Sequence, residues 1–373
     1  MSDPRLTPLA AGLPASVPFV GPETQERAAG RPFRARLGAN ENGFGPSPAA
    51  IAALARAAAE AWQYGDPECH DLRADLAARH GVAADCIVVG EGIDGLLGTL
   101  VCLFVGPGDA VVTSDGAYPT FAYHVAGFGG ALHRVPYRDD HEDPDALAER
   151  AHATGARLVY LANPDNPMGS WHGAARVAAL VEALPRGSLL VLDEAYADFA
   201  PAEAIPPFNA ADGRVIRLRT FSKAHGLAGL RVGYAVGQAG VIGAFHKVRN
   251  HFGVGRPAQE AARASLADAD HLAATRAAVA GARGEIVRIA RENGLAALPS
   301  AANFVAIDCG GDGARARAVL GGLVARGVFV RMPGVAPLDR CIRVSCGPPE
   351  ALAAFAAALP EALAEARAAV VAS

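Results

Sequence analysis

Short apolar runs alternate with longer helical stretches through the middle of the chain. Seven of these runs are rich in Val, Ile and Leu without polar alternation, which is typical of strands buried on both faces of a mostly parallel sheet. They span residues 86–90, 110–114, 132–135, 158–162, 189–193, 215–219 and 231–236. Because helical stretches separate them, the pattern predicts an α/β domain of about 200 residues with a mostly parallel, seven-stranded sheet.

Two helices are predicted before this region, at 49–62 and 71–80. The first follows Ser47-Pro48, an N-cap residue and a proline at the first turn, and the second ends at Gly81. Both stretches therefore carry the start and stop signals of helices.

The two ends of the chain follow different patterns. The proline-rich residues 1–38 show neither a helical nor a strand period, so we expect an extended N-terminal arm there. After about residue 257, long helices rich in Ala and Arg surround strand candidates at 303–308 and 341–344. We therefore expect the arm to be followed by a large domain at 39–256 and a smaller α+β domain at 257–373, which part of the N-terminal segment joins.

The charge balance excludes some classes of partner. The 373 residues contain 34 basic and 38 acidic side chains, a net charge of -4, whereas nucleic acids and anionic membranes normally require a basic excess. The longest charge-free apolar stretch, 95–108, is too short to span a bilayer, and no signal peptide is visible. The six cysteines contain no CxxC pair. We expect a cytoplasmic protein with reduced thiols, no metal site, and no nucleic-acid or membrane partner.

Lysine is nearly absent from the chain. Only Lys223 and Lys247 occur among the 34 basic residues, and all the others are arginine. An amine can lose its proton and attack a carbonyl, which a guanidinium cannot do. Each lysine is therefore a candidate nucleophile until its neighbourhood is considered.

A glycine-rich turn follows the first predicted strand of the sheet. Gly90, Gly92 and Gly95 match GxGxxG, and Asp115 closes the next strand about where a ribose-binding acid would stand, so a nicotinamide enzyme is one interpretation. A second is that one phosphate binds at the same helix N-terminus through free N–H groups and the helix dipole. A third is a tight turn without a ligand. The turn alone does not decide among them.

Polar groups follow three other predicted strands. Asp193 ends a buried strand, where a carboxylate suits a buried cation such as a protonated pyridine nitrogen. Asn166 lies between Pro164 and Pro167, a turn that presents it at the carboxyl edge of the sheet.

Lys223 stands in the third of these segments. Thr220 and Ser222 precede it at alternate positions and Arg231 follows eight residues later, a set that can bind phosphate beside an imine-forming amine. An amine, a phosphate cradle, an acid for a ring nitrogen and polar groups for a ring oxygen are what pyridoxal phosphate requires, and a nicotinamide does not.

In order and spacing, these segments resemble the fold type I, class I/II pyridoxal-phosphate aminotransferases, and within them the histidinol-phosphate aminotransferase group. The resemblance runs from about residue 17 to about residue 347. It rests on residues 40–42, 64–68, 92–94, 119–121, 163–169, 193–196, 222–223 with Arg231, and 342–344.

The resemblance implies a role for each matching residue. Lys223 would form the Schiff base with the cofactor, and Asp193 would pair with its pyridine nitrogen. Asn166 and Tyr196 would bond to its phenolic oxygen, while Phe121 would stack on its ring. The cofactor phosphate would be held by Gly92, Ile93, Asp94, Thr220, Ser222 and Arg231, with Tyr64 reaching in from the second subunit of a homodimer.

The same resemblance implies the substrates. Arg343, Arg331, Asn42 and Phe19 would contact an amino donor similar to histidinol phosphate and a 2-oxo acid such as 2-oxoglutarate, in histidine biosynthesis. Phe19 stands where this group usually has a tyrosine whose hydroxyl meets the substrate phosphate. An aromatic amino acid aminotransferase is therefore an alternative, because Phe19 and Phe121 could sandwich a ring.

Two further alternatives remain open from the sequence. A related pyridoxal-phosphate lyase or decarboxylase, such as threonine-phosphate decarboxylase, shares the same cofactor residues. A ligand-sensing protein without activity could also use this fold, although the presence of Lys223, Asp193 and Arg343 argues for catalysis.

Overall fold

The computed structural model describes residues 5–15 and 20–371. A central sheet consists of seven strands: β2 (Ile87–Gly90), β3 (Ala110–Ser114), β4 (Ala131–Val135), β5 (Leu158–Ala162), β6 (Leu189–Asp193), β7 (Val215–Thr220) and β8 (Gly233–Val236). Their spatial order is β2-β8-β7-β6-β5-β3-β4, and β8 alone runs antiparallel to its neighbours. The predicted α/β class with a mostly parallel sheet is confirmed.

Helices cover both faces of this sheet because its strands are apolar on both sides. In β6, Leu189 and Val191 pack with α5 (Gly92–Phe104) and α6 (Pro119–Gly127). Leu190 and Leu192 point the opposite way and pack with α7 (Pro144–Thr154) and α8 (Ala174–Ala183). Successive side chains of a strand alternate between faces, so a continuous apolar run supplies two cores.

Two smaller sheets lie outside the central one. Strands β9 (Ala296–Ala297), β10 (Phe304–Asp308) and β12 (Cys341–Ser345) form an antiparallel sheet, and β1 (Ala35–Arg36) pairs in parallel with β11 (Val328–Phe329). The three-stranded sheet packs against α11 (Ala269–Glu292), α12 (Gly313–Ala325) and α13 (Pro349–Val371) in a third core.

The remaining helices are shorter or flank the large sheet. They are α1 (Pro8–Gly12), α2 (Pro22–Ala29), α3 (Pro48–Ala58), α4 (His70–His80), α9 (Ala239–Phe245) and α10 (Arg256–Ala267). The helix α10, which straddles the predicted boundary between the two domains, packs with α3 and α4 against the large sheet. The domain division itself stays a prediction.

The expectation of an extended N-terminal arm is wrong for the described residues, because α1, α2 and β1 lie within it. The prolines begin these helices. Pro8 and Pro22 occupy first-turn positions, where a missing N–H costs no hydrogen bond, and the Thr7 hydroxyl accepts from the Ala10 N–H. Helices of 5 and 8 residues are too short to display a helical period in the sequence.

In the described part of the chain, no helix is both long and apolar enough to cross a membrane. Over the same residues, no group of His, Cys, Asp and Glu side chains is arranged to hold a metal ion.

Candidate active site

A cleft of about 890 Å³ opens at the carboxyl edge of the large sheet. Strands β5, β6 and β7 end at this edge, where α5 begins, and β12 closes the cleft from the opposite side. The polar side chains that line it include Asn40, Asp94, Asp193, Tyr196, Lys223 and Arg343. Residues from distant parts of the sequence therefore meet where parallel strands end.

Lys223 lies just beyond β7 with its amine inside the cleft. Its Nζ donates a hydrogen bond to the carbonyl of Asn40 at 3.0 Å and lies 5.7 Å from the centre of the Tyr196 ring. Burial and the neighbouring Arg343 lower the pKa of this amine to about 8. A substantial fraction of Lys223 is thus uncharged at slightly alkaline pH.

Asp193 is a buried carboxylate at the end of β6. Its Oδ2 accepts from the Tyr160 hydroxyl at 2.7 Å, and its Oδ1 accepts from the Ala195 N–H at 2.9 Å. Burial raises the pKa of Asp193 to about 6, although both donors oppose that change. Among the described residues Asp193 forms no salt bridge. It is therefore available to a cation that enters the cleft.

The Tyr196 hydroxyl lies beside two amides. It accepts hydrogen bonds from Asn40 Nδ2 at 3.0 Å and from Asn166 Nδ2 at 3.3 Å. Burial raises the pKa of Tyr196 to about 12, so its oxygen stays protonated and can donate to an acceptor in the cleft. The structure thus brings together Asn166 and Tyr196, the pair expected to meet the phenolic oxygen of the cofactor.

An anion cradle forms where α5 begins. Gly92 opens this helix at a φ of +73°, and Ile93 and Asp94 follow in its first turn, where no side chain of the described residues caps the N–H groups. The guanidinium of Arg231 lies against Gly92, so close that a Cβ there would be 2.5 Å from Arg231 Nη2. Free N–H groups, the helix dipole and an arginine suit a phosphate.

Two hydroxyls complete the cradle. Arg231 Nη1 donates to Ser222 Oγ at 3.3 Å, and the Ser222 N–H donates to Thr220 Oγ1 at 3.0 Å. The cradle, the amine of Lys223 and the carboxylate of Asp193 are the groups that pyridoxal phosphate needs. The residues present fit that cofactor.

Arg343 and Arg331 enter the cleft from β12 and from the segment beside it. Their backbones pair through hydrogen bonds in both directions, and both side chains line the cleft. Arg343 donates to Asn166 Oδ1 and to the Gly38 carbonyl, while its buried Nε has no partner among the described residues. Arg331 Nη2 donates to the Val20 carbonyl at 2.7 Å. Two arginine side chains from paired backbone positions thus line one cleft.

Other predicted site residues lie elsewhere. Phe121 is only 1% exposed, stacks on Tyr160 and is not in contact with the cleft, whose wall contains Tyr118 instead. Asn42 donates to the Ala224 carbonyl at 3.2 Å and likewise lies outside the cleft wall.

Tyr64 is 80% exposed and packs on the Phe252 ring, with 4.9 Å between the ring centres. Phe19 lies outside the described residues.

Sequence reasoning gave no role to three residues of this site. Asn40 bonds to both Lys223 and Tyr196, Tyr160 bonds to Asp193, and Tyr118 donates to Asp94 Oδ1 at 3.1 Å. Asn40 stands beside Asn42 in a segment that carried the family resemblance, so a signal for it existed. Tyr160 is a lone polar group in an apolar strand, which was a weaker signal.

Two relatives and two solved structures are similar to this chain over most of its length. Histidinol-phosphate aminotransferases of Moorella thermoacetica and Mesorhizobium japonicum are each 36% identical to it, over 88% of this chain and 85% and 90% of theirs. The structure of histidinol-phosphate aminotransferase from Sinorhizobium meliloti in complex with pyridoxal-5'-phosphate has a TM-score of 0.95 and 53% identity, covering 97% of this chain and 98% of that one. Aspartate aminotransferase from Thermus thermophilus with maleate has a TM-score of 0.75 and 25% identity, over 89% and 93%.

A family model described as aminotransferase class I and II matches residues 35–359, which contain the large sheet, the cleft and β12. This match agrees with the similarities above and with an amine, a carboxylate and an anion cradle that fit pyridoxal phosphate. The chain belongs to the class I and II aminotransferase family, the pyridoxal-phosphate-dependent transaminases of fold type I.

Proposed function

We propose that this transaminase moves the amino group of histidinol phosphate to a 2-oxo acid such as 2-oxoglutarate. The observation that carries the proposal is the pair Arg331 and Arg343, which lines the same cleft as Lys223. An anionic group on the substrate suits a cleft lined by two arginines. The relatives named histidinol-phosphate aminotransferase support the same choice of donor. The enzyme would then act in histidine biosynthesis in the cytoplasm.

Pyridoxal phosphate would be held by the residues that meet at the carboxyl edge of the sheet. Lys223 would bind its aldehyde carbon, Asp193 its ring nitrogen, and Asn166 with Tyr196 its phenolic oxygen. Its phosphate would be bound by Gly92, Ile93, Asp94, Thr220, Ser222 and Arg231. When bound, the cofactor withdraws electrons from the substrate Cα and makes the Cα–H acidic.

Each residue of the cleft then has a defined task. The Asp193 carboxylate keeps the proton on the ring nitrogen, and its burial strengthens that interaction. Lys223 moves a proton between the substrate Cα and the C4′ atom of the cofactor, for which a pKa of about 8 is well suited near neutral pH. Asn40 accepts from the Lys223 amine and directs it into the cleft.

One cleft must accept two different substrates in turn. Histidinol phosphate and 2-oxoglutarate both carry anionic groups, so Arg343 can bind either of them. Arg331 would add a second contact to the phosphate. Its side chain is fixed against the Val20 carbonyl and over the Phe329 ring, at 5.6 Å from the ring centre, which orders it before substrate arrives.

The Arg331→Ala substitution tests this assignment. It should reduce the transition-state stabilisation calculated from kcat/KM for histidinol phosphate by about 1.5–3 kcal/mol, which is the range for a hydrogen bond to a charged group. The value of kcat/KM for phenylalanine should stay the same. Arg288→Ala, which removes an exposed arginine of α11, is the control and should change neither value.

Wild-type protein that ignores histidinol phosphate but uses phenylalanine or tyrosine with 2-oxoglutarate would be an aromatic amino acid aminotransferase. Release of CO2 from threonine phosphate would instead identify a decarboxylase. Either result overturns the proposed donor.

We also infer a homodimer in which Tyr64 reaches the cofactor phosphate of the partner subunit. Trp62 and Tyr64 are 81% and 80% exposed, and Phe252 is 53% exposed. Tyr64 and Phe252 pack on each other at the surface. Large apolar side chains exposed together are typical of a protein–protein interface.

A further inference from the structure

Tyr160 is the only polar side chain of strand β5, and it is fully buried. Its hydroxyl donates to Asp193 Oδ2 at 2.7 Å, from the strand that lies beside β6 in the sheet. A buried hydroxyl without a partner would cost free energy, whereas leucine or valine would fill an apolar strand without that cost. The hydroxyl therefore points to a task at the carboxylate.

The ring of Tyr160 is fixed by Phe121. The two rings stack with 4.7 Å between their centres and 17° between their planes, and Phe121 is 1% exposed. The C–O bond of tyrosine lies on the axis about which the ring turns, so only rotation about the Cα–Cβ bond would move the oxygen, and the buried, stacked Phe121 ring opposes that rotation. The hydroxyl that donates to Asp193 is thus held in place by packing.

The surroundings of Asp193 contain several other titratable groups. Asp94 on α5, Glu194 after β6 and Glu142 before α7 are acidic, and Tyr196 is a phenol. Glu194 is neutralised by Arg217 and Arg219. Burial and the acidic neighbours favour the protonated carboxyl of Asp193. Among the described residues, the Tyr160 hydroxyl and the Ala195 N–H oppose them by donating hydrogen bonds to the carboxylate.

We propose that Tyr160 is a positioning residue for Asp193, whose carboxylate it orients and keeps ionised so that it can bind the cofactor's ring nitrogen, with Phe121 as its support. The inference rests on the proposed role of Asp193. Asp193 binds the ring nitrogen as a carboxylate, so cofactor affinity falls as the pH drops through the pKa of Asp193. Removing a donor that stabilises the carboxylate raises this pKa, and the fall then occurs at a higher pH.

The test is binding of 4-deoxypyridoxine 5′-phosphate to the full-length apoprotein between pH 5 and pH 9. This analogue lacks the aldehyde, so it forms no bond to Lys223 and the titration of that amine does not enter through a Schiff base. Tyr160→Phe removes only the hydroxyl. It should weaken binding at pH 7 about tenfold or more, the loss of a hydrogen bond to a charged group, and shift the acid limb of the curve to higher pH.

Tyr234→Phe is the matched control. Its hydroxyl is also buried and hydrogen-bonded, at 3.0 Å from His80 Nε2, but Tyr234 does not line the cleft. It should lower the free energy of unfolding without changing affinity for the analogue or its pH dependence. Equal losses of affinity in both variants would mean general loosening of the sheet, and would overturn the proposal.

Asp193→Ala separates the two claims. If it binds the analogue as tightly as wild type at every pH, the role of Asp193 itself is wrong. If it loses affinity while Tyr160→Phe keeps the wild-type affinity and pH dependence, Asp193 keeps its role and the positioning role of Tyr160 is overturned.

Discussion

The two lysines of this chain lie in opposite environments, and this difference leads to a prediction. Lys223 is inside the cleft, where burial and Arg343 lower the pKa of its amine to about 8. Below that pH the amine is protonated and cannot attack an aldehyde. The rate at which apoprotein captures pyridoxal phosphate should therefore rise with pH up to about 8 and then level off, as followed by stopped-flow absorbance.

Lys247 provides the internal control because it is exposed. After borohydride reduction, the cofactor label should appear on the peptide that contains Lys223 and on no other. Lys247→Ala should capture the cofactor like wild type, and Lys223→Ala should not be labelled. A label on the Lys247 peptide would contradict the assignment.

Among single residues, the sequence predicted the site residues that lie at or after the end of a strand, and it missed those that lie within a strand. Asp193 ends an apolar run, and Asn166 and Lys223 lie in the turns that follow two others, so the rule that ligands bind at strand ends predicted that they meet. Tyr160 lies inside such a run, where a single tyrosine resembles any aromatic core residue. Asn40 reaches the cleft from outside the predicted strands, and sequence spacing carries no information about that contact.

Among the secondary-structure elements, helix α5 offers a test of the anion cradle. Gly92 has a φ of +73° and its missing Cβ leaves room for Arg231, whereas Gly108 has a φ of +82° with nothing close to its Cβ position. Alanine at either position should destabilise the protein by about 1–2 kcal/mol because of the positive φ. Only Gly92→Ala should also weaken binding of pyridoxal phosphate, because its methyl group displaces the guanidinium.

Comparing the two variants separates the effect of the positive φ on stability from the effect of the methyl group on cofactor binding. Thermal unfolding of the apoproteins measures stability, and equilibrium titration with the cofactor measures affinity. If Gly108→Ala lost as much cofactor affinity as Gly92→Ala, the cradle at the start of α5 would not hold the phosphate.

Strands β6 and β7 are joined at their ends by a buried ion cluster. Glu194, which is 2% exposed, accepts from Arg217 and Arg219. Burial alone would raise the pKa of Glu194, but the two arginines outweigh it and lower the pKa. Glu194→Ala would leave the buried guanidinium of Arg217 without its acidic partner, and Arg219 with only the longer pair to Asp198 at 3.7 Å. The free energy of unfolding should therefore fall by about 3–5 kcal/mol in chemical denaturation.

Two further measurements test whether the ion pairs of Glu194 stabilise the fold. Glu285→Ala breaks an exposed pair with Arg288 and should change stability little. The pKa of Glu194 is lower in the folded protein than in the unfolded chain, so its ionised carboxylate adds to the free energy of unfolding at any pH above the unfolded pKa. This stabilisation is lost as the pH falls through the folded pKa. Wild-type stability should therefore fall more steeply in acid than that of Glu194→Gln; parallel curves would exclude a role for the ionised carboxylate.

The sequence predicted best the strands that are continuous runs of apolar residues. Strands buried on both faces are continuous apolar runs, and β5 and β6 were predicted with the bounds that they have in the structure. The helices α1 and α2 were missed because proline is compatible both with an extended chain and with the first turn of a helix. Contacts with distant parts of the chain decide whether such a segment is extended or helical.

For the molecule as a whole, the proposed homodimer makes a prediction about Tyr64, which is exposed and packs on the Phe252 ring at the surface. If Tyr64 binds the cofactor phosphate of the partner, Tyr64→Phe should weaken cofactor retention by about 1 kcal/mol, the value of one hydrogen bond. Equilibrium dialysis of the holoenzyme measures that loss, and sedimentation should show a dimer. A monomer that keeps full activity on dilution would contradict the interface.

A mixed dimer distinguishes a contact between subunits from one within a subunit. One subunit carries Tyr64→Ala and the other Lys223→Ala, so each variant alone yields two damaged sites. If Tyr64 acts on the partner, the intact Lys223 of the first subunit meets the intact Tyr64 of the second, and one site per dimer regains wild-type cofactor retention. If Tyr64 acts within its own subunit, the only site with a lysine lacks the tyrosine, and retention stays at the level of the Tyr64→Ala dimer. The two subunits differ only in which residue is substituted. The fraction of cofactor retained therefore shows directly whether both subunits contribute residues to one active site.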